Sequence, residues 1–112
     1  MDRRRSKRYP YPYPIYMTPL NADESPKESE TFAVFGRHLS DGGLDFYCER
    51  ALPDRKLIAS LKCGEQGWVG FLLELTWCRF TSYGWYENGG KFLESMPSPV
   101  RPTELKFQPR FE

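Results

Sequence analysis

Apolar and polar residues alternate along this chain with a period of two. Val69, Phe71, Leu73, Leu75 and Trp77 fall on one side of an extended segment, with Gly70, Glu74, Thr76 and Cys78 on the other. Side chains alternate across a strand, so this pattern predicts a β-strand over Trp68 to Phe80 whose first set faces a core. Leu44, Phe46 and Cys48 alternate with Asp45, Tyr47 and Glu49 in the same manner, as in a sheet with one face toward water.

Other short runs rich in aromatic and β-branched residues lie at Ile15 to Thr18, Thr31 to Arg37, Lys56 to Cys63 and Trp85 to Leu93. With Gly43 to Cys48 and the long segment they make six predicted strands. Asp41-Gly42-Gly43, Gly64 to Gly67 and Ser82-Tyr83-Gly84 supply turn residues between them. No stretch carries helical periodicity with caps, and Pro97, Pro99, Pro102 and Pro109 exclude a long helix near the end. Gly89-Gly90 inside the last strand marks a bulge or a close approach of backbone or ligand.

From Tyr9 to Pro14 tyrosine and proline alternate, which fixes φ at every second residue and biases those between toward extended geometry. This arm reads as a stiff lead-in to the first strand, or as a polyproline segment that docks a partner. The predicted organisation is a basic Tyr/Pro-rich arm over residues 1–14, a barrel over 15–94 and a Pro-rich tail over 95–112.

At 112 residues the chain has room for one domain with one core. Its charges nearly cancel, 16 Lys+Arg against 15 Asp+Glu, so the overall field gives no reason to expect DNA or a membrane surface as partner. Their distribution is uneven. Arg3, Arg4, Arg5, Lys7 and Arg8 crowd the start, whereas Asp23, Glu24, Glu28 and Glu30 make the next loop acidic. The longest apolar run is too short to span a bilayer and the start lacks the apolar stretch of a secretory signal, so a cytoplasmic location is expected.

Catalytic and metal chemistry find little support. His38 is the one histidine, and Cys48, Cys63 and Cys78 are widely separated, so no zinc spacing exists and the cysteines read as small core residues. There is no nucleophile elbow and no phosphate-cradling glycine loop. An enzyme is not expected, nor a resident cofactor. Two features remain that suit a phosphorylated, guanine-bearing ligand. One is the cluster Arg4, Arg5 and Arg8, because guanidinium forks pair with phosphate oxygens and with the O6 and N7 edge of guanine. The other is the turn His38-Leu39-Ser40-Asp41-Gly42-Gly43, where glycine lets backbone come close and Ser40 offers a hydroxyl.

On these residues the chain resembles the PilZ domains. Arg4-Arg5-Ser6-Lys7-Arg8 matches their R-x-x-x-R motif, and Ser40 and Gly43 match their [D/N]-x-S-x-x-G motif, with His38 standing where the family has Asp or Asn. Leu39 to Leu44, Leu52-Pro53, the long strand and Gly90-Lys91-Phe92 keep the family's order, so the resemblance covers about residues 3 to 94. It implies a six-stranded antiparallel β-barrel and a receptor for cyclic di-GMP. Arg4 and Arg8 would grip guanine edges and phosphates, Ser40 and the residue at position 38 would hold the other side, and capture would fold the arm onto the barrel. A one-domain receptor would then signal through a protein partner. His38 departs from the pattern: Asp accepts with two charged oxygens, neutral His with one ring nitrogen. A lost polar contact of roughly 1–3 kcal/mol weakens binding about five- to a hundredfold or more. Two other readings follow from the same residues. One is a nucleotide-independent interaction module, and the other is RNA binding by the basic arm, with Tyr9, Tyr11 and Tyr13 stacking on bases.

Overall fold

A computed structural model of the chain describes residues 7–65 and 67–100. All six predicted strands are present, and a seventh of two residues precedes them. The strands are β1 (Tyr9–Pro10), β2 (Pro14–Pro19), β3 (Phe32–Leu39), β4 (Gly43–Cys48), β5 (Lys56–Cys63), β6 (Gly67–Phe80) and β7 (Tyr86–Met96). A 3-10 turn, Glu28–Glu30, leads into β3.

Every pairing is antiparallel. The neighbours run β3-β2-β5-β6-β7-β4, and β4 pairs back onto β3, so six strands close into a barrel with β1 added outside. Closure pairs the strand edges with one another. Inside lie Ile15, Met17, Val34, Leu44, Phe46, Leu57, Ala59 and Leu73, each nearly or wholly withdrawn from water. Burying each large aliphatic or aromatic side chain among them contributes about 1.5–3 kcal/mol.

The Tyr-Pro arm lies along β3 beside the barrel. Tyr9 and Pro10 stand opposite Leu39 and His38, and Pro14 to Met17 stand opposite Phe35 to Phe32. Between these stretches the Tyr11 N–H donates to the Arg37 carbonyl at 2.9 Å and the Gly36 N–H donates to the Tyr13 carbonyl at 2.8 Å. The Tyr13 N–H returns to the Tyr11 carbonyl at 2.9 Å, a three-residue turn about Pro12 that takes up one extra residue.

Several sequence expectations change. Val69 keeps the core-side face opposite Leu61 but sits at the mouth of the barrel, 38% exposed. Trp77 changes face. Leu75 stands opposite Gly90 and Trp77 opposite Gly89, so Thr76 is an extra, bulged residue, and Trp77 turns from the core to the outer surface, 41% exposed. Asp45, expected on the wet face, is 4% exposed because charged side chains of β3 and the arm lie over it. Of the cysteines only Cys48 is buried. Cys63 ends β5 beside the hairpin to β6, and Cys78 lies on the part of β6 that runs past its last β5 partner, Glu74 pairing with Lys56. β7 continues to Met96, and the chain beyond it returns across β5, where the Ser98 hydroxyl donates to Ser60 Oγ at 2.7 Å.

Candidate functional site

The turn between β3 and β4 is held by its own serine. The Ser40 N–H donates to the Gly43 carbonyl at 2.9 Å, and Ser40 Oγ accepts from the Gly42 N–H at 3.2 Å. Gly43 and Gly90 lie where the backbones of β4, β7 and β6 leave no room for a side chain. A Cβ on Gly43 would overlap the Gly90 carbonyl oxygen, and one on Gly90 would lie 2.7 Å from the Glu74 carbonyl oxygen. Gly89 is covered by the indole of Trp77, whose Cζ2 would lie 2.6 Å from an added Cβ. The glycine pair thus marks close approach, while the bulge itself is on β6.

Pairing along β3 brings the arm to this turn. Arg8 precedes β1, and its Nη2 donates to Asp45 Oδ2 at 2.7 Å. Arg37 is the extra residue where the β3–β4 register slips between Gly36 and His38. This bulge leaves the His38 N–H out of the strand ladder, and the Asp45 side chain takes it instead, Oδ1 accepting at 2.7 Å. The His38 ring nitrogen Nδ1 is 3.4 Å from Arg8 Nη2 and 3.3 Å from Asp45 Oδ1. It has one role to give, as acceptor from Arg8 or as donor to Asp45. Arg37 stands 3.5 Å from Asp45 on one side and pairs with Glu87 on the other, and Arg79 donates to Glu87 at 2.6 Å. A ladder of alternating charge, Arg8, Asp45, Arg37, Glu87, Arg79, therefore crosses the outer face of β3, β4, β7 and β6.

Around the first rungs lies an open cavity of about 380 Å³. Arg8, His38, Ser40, Gly43, Trp77 and Lys91 are among its walls. Four of the six residues singled out in the sequence, Arg8, His38, Ser40 and Gly43, thus share one concavity. The other two, Arg4 and Arg5, lie outside the described residues. The concavity combines an exposed guanidinium, the exposed Lys91 ammonium, a hydroxyl, glycine backbone without side chains and a half-exposed indole plane. Such a set suits an anion that carries flat rings. Asp45, Trp77 and Lys91 were not singled out by sequence. Trp77 had been given to the core, and the register that places Asp45 opposite His38 is invisible without the bulge.

A larger concavity, about 820 Å³, adjoins the far rungs between Phe35, Tyr47, Arg79, Phe80, Tyr83 and Trp85. Glu87 pushes the Arg79 guanidinium further toward its charged form through a hydrogen bond and direct attraction. Among the described residues, Arg8, His38, Ser40 and Gly43 do not line this second hollow. Among the described residues no group of three His, Cys, Asp or Glu side chains is placed to hold a metal, and no helix is long and apolar enough to cross a membrane.

No protein-family model matches the chain, and no curated protein does. Solved structures do. The inhibitor of motility from Bacillus subtilis (MotI/DgrA) superposes with a TM-score of 0.63 at 13% identity over 86% of this chain and 45% of its own. The K. pneumonia MrkH–c-di-GMP complex gives 0.57 at 16% identity over 84% and 46%, so this chain spans just under half the length of either. The PilZ domain with c-di-GMP of YcgR from Escherichia coli gives 0.57 at 22% identity over 91% of this chain and 82% of that domain. The fold is therefore that of a PilZ-type barrel, six antiparallel strands closed on themselves with one strand added.

Proposed function

We propose that this protein is a receptor that binds cyclic di-GMP at the cavity between Arg8 and the Ser40–Gly43 turn and signals through its N-terminal arm to a protein partner, without catalysis. The observation that carries the reading is convergence. The arm and the turn are some thirty residues apart, and strand pairing along β3 sets Arg8 against His38 and Asp45 at the mouth of one concavity. Two solved structures with this fold, MrkH and the PilZ domain of YcgR, are complexes with c-di-GMP. Arg8, together with Arg4 from the same motif, offers forks for phosphate oxygens and guanine O6 and N7, Ser40 and the backbone at Gly43 receive the opposite side, and Trp77 offers a plane for a base. Any reordering of the arm would have to release β1 from its pairing with β3.

Calorimetric titration with cyclic di-GMP tests this. Micromolar or tighter binding that disappears in Arg8→Ala is expected; no heat with the unaltered protein sinks the receptor reading. That outcome would favour a nucleotide-independent interaction module, for which the histidine at position 38 speaks.

A further inference from the structure

We infer that Asp45 is the positioning residue of this cavity: from the strand opposite His38, its buried carboxylate fixes Arg8 at the rim. The inference rests on the receptor reading above. A carboxylate is rarely taken out of water without cations or donors to receive it. Asp45 is 5% exposed at its side chain, and its two oxygens are divided between two tasks. Oδ1 closes the gap in the β3 ladder by accepting from the His38 N–H, and Oδ2 receives Arg8, both at 2.7 Å. Arg37 and the His38 ring complete its surroundings at 3.5 and 3.3 Å.

His38 and Asp45 are direct cross-strand partners. Side chains on such a pair start about 5 Å apart, so a carboxylate from either strand reaches the same place. Arg8 has five N–H donors and directs only one of them at Asp45, within hydrogen-bond reach. Nη2 also stands 3.4 Å from His38 Nδ1, so among the described residues the Nη1 and Nε donors are the ones left for a ligand, and a fork held in place loses less rotamer freedom when the ligand arrives. Arg8 is 59% exposed, so its outer donors face a ligand while Nη2 stays on Asp45, and Arg37 stays beside the carboxylate if Arg8 turns away.

Titration of the full chain with cyclic di-GMP, in four forms, decides. The forms are the unaltered protein, Asp45→Asn, His38→Asp and the double variant. Asparagine still offers an oxygen to the His38 N–H but carries no charge for Arg8, so a merely structural Asp45 would be replaced without loss. We expect Asp45→Asn to bind at least about tenfold more weakly and the double variant to recover to within about threefold of the unaltered protein. Equal or tighter binding by Asp45→Asn, or no recovery in the double variant, overturns the inference. Should Asp45→Asn lose its far-ultraviolet dichroism, Asp45→Ser, whose hydroxyl also accepts, is scored in its place. Absence of heat with the unaltered protein defeats the receptor reading and the inference with it; binding that ignores Asp45 defeats the inference alone.

Discussion

Gly43 sits inside the motif that marks the cavity, yet its surroundings give it a task in the scaffold. A Cβ added there would overlap the Gly90 carbonyl oxygen and stand 3.1 Å from Lys91 Cα and 3.2 Å from the Gly90 carbonyl carbon. All three are backbone atoms and cannot swing aside, so Gly43→Ala forces β4 and β7 apart at the Gly43–Lys91 pair. Two neighbouring bonds are pulled with them, Phe92 N–H to the Gly42 carbonyl at 3.0 Å and Ser40 N–H to the Gly43 carbonyl at 2.9 Å. At about 1 kcal/mol for hydrogen bonding lost and about 1–3 kcal/mol for overpacking, the substitution costs about 2–4 kcal/mol. For a domain of this size that lowers the melting temperature by about 8–16 °C, at roughly 4 °C per kcal/mol. Thermal denaturation followed by circular dichroism measures it. Gly64→Ala is the control: φ is +71° there and no atom lies within 4 Å of an added Cβ, so only backbone strain acts. That strain costs about 1 kcal/mol. If Gly43→Ala melts no lower than Gly64→Ala, the clash argument is wrong and the glycine serves the ligand instead.

Thiol labelling should find Cys63 and Cys78 fast and Cys48 slow, because burial covers Cys48 and pushes its thiol pKa up; a third fast thiol would contradict the packing of β4. The Ser25 hydroxyl and N–H hold the Asp23 carboxyl below the usual carboxylate range, at 2.6 and 3.0 Å. Their support for the acidic loop is therefore full above the ordinary carboxylate pKa and is lost as pH falls through the lowered value. In a carboxyl-carbon NMR titration Ser25→Ala should raise the Asp23 midpoint, and an unmoved midpoint refutes the assignment. Gly89→Ala should push the Trp77 indole off the sheet into water at a cost of about 1–3 kcal/mol. The emission shifts to the red, and a shift that persists in a Trp77→Phe background would show that another tryptophan moved.

The strands were legible because alternation and glycine turns leave few alternatives, and the closed barrel was legible through the resemblance to the PilZ domains. Bulges were not. An extra residue at Arg37 or Thr76 leaves the alternation on either side intact, so nothing in the pattern warns that Trp77 changes face or that the His38 N–H leaves the ladder. Asp45 followed from neither composition nor period. A polar residue on the expected wet face reads as solvated until the arm and Arg37 are known to lie over it. Position 38 shows the same limit from the other side. The departure from the motif is plain in the sequence, but Asp45 is seven residues away and becomes its neighbour only through strand register. The two exposed cysteines were misread because burial was inferred from residue type, whereas their places at a hairpin end and on an overhanging strand decide it.

The arm that delivers Arg8 also lies at the outside of the sheet order. In an antiparallel pair, alternate residues turn their backbone groups inward and outward. Tyr11 turns inward, giving its N–H to Arg37, which leaves Pro10 to face outward from β1. Proline has no N–H, so a strand approaching from outside meets a carbonyl and no donor. The peptide chain cannot be extended sideways there into a shared sheet between molecules. Pro10→Ala and Pro12→Ala together would return donors to that border, and with them a tendency of the protein to join edge to edge.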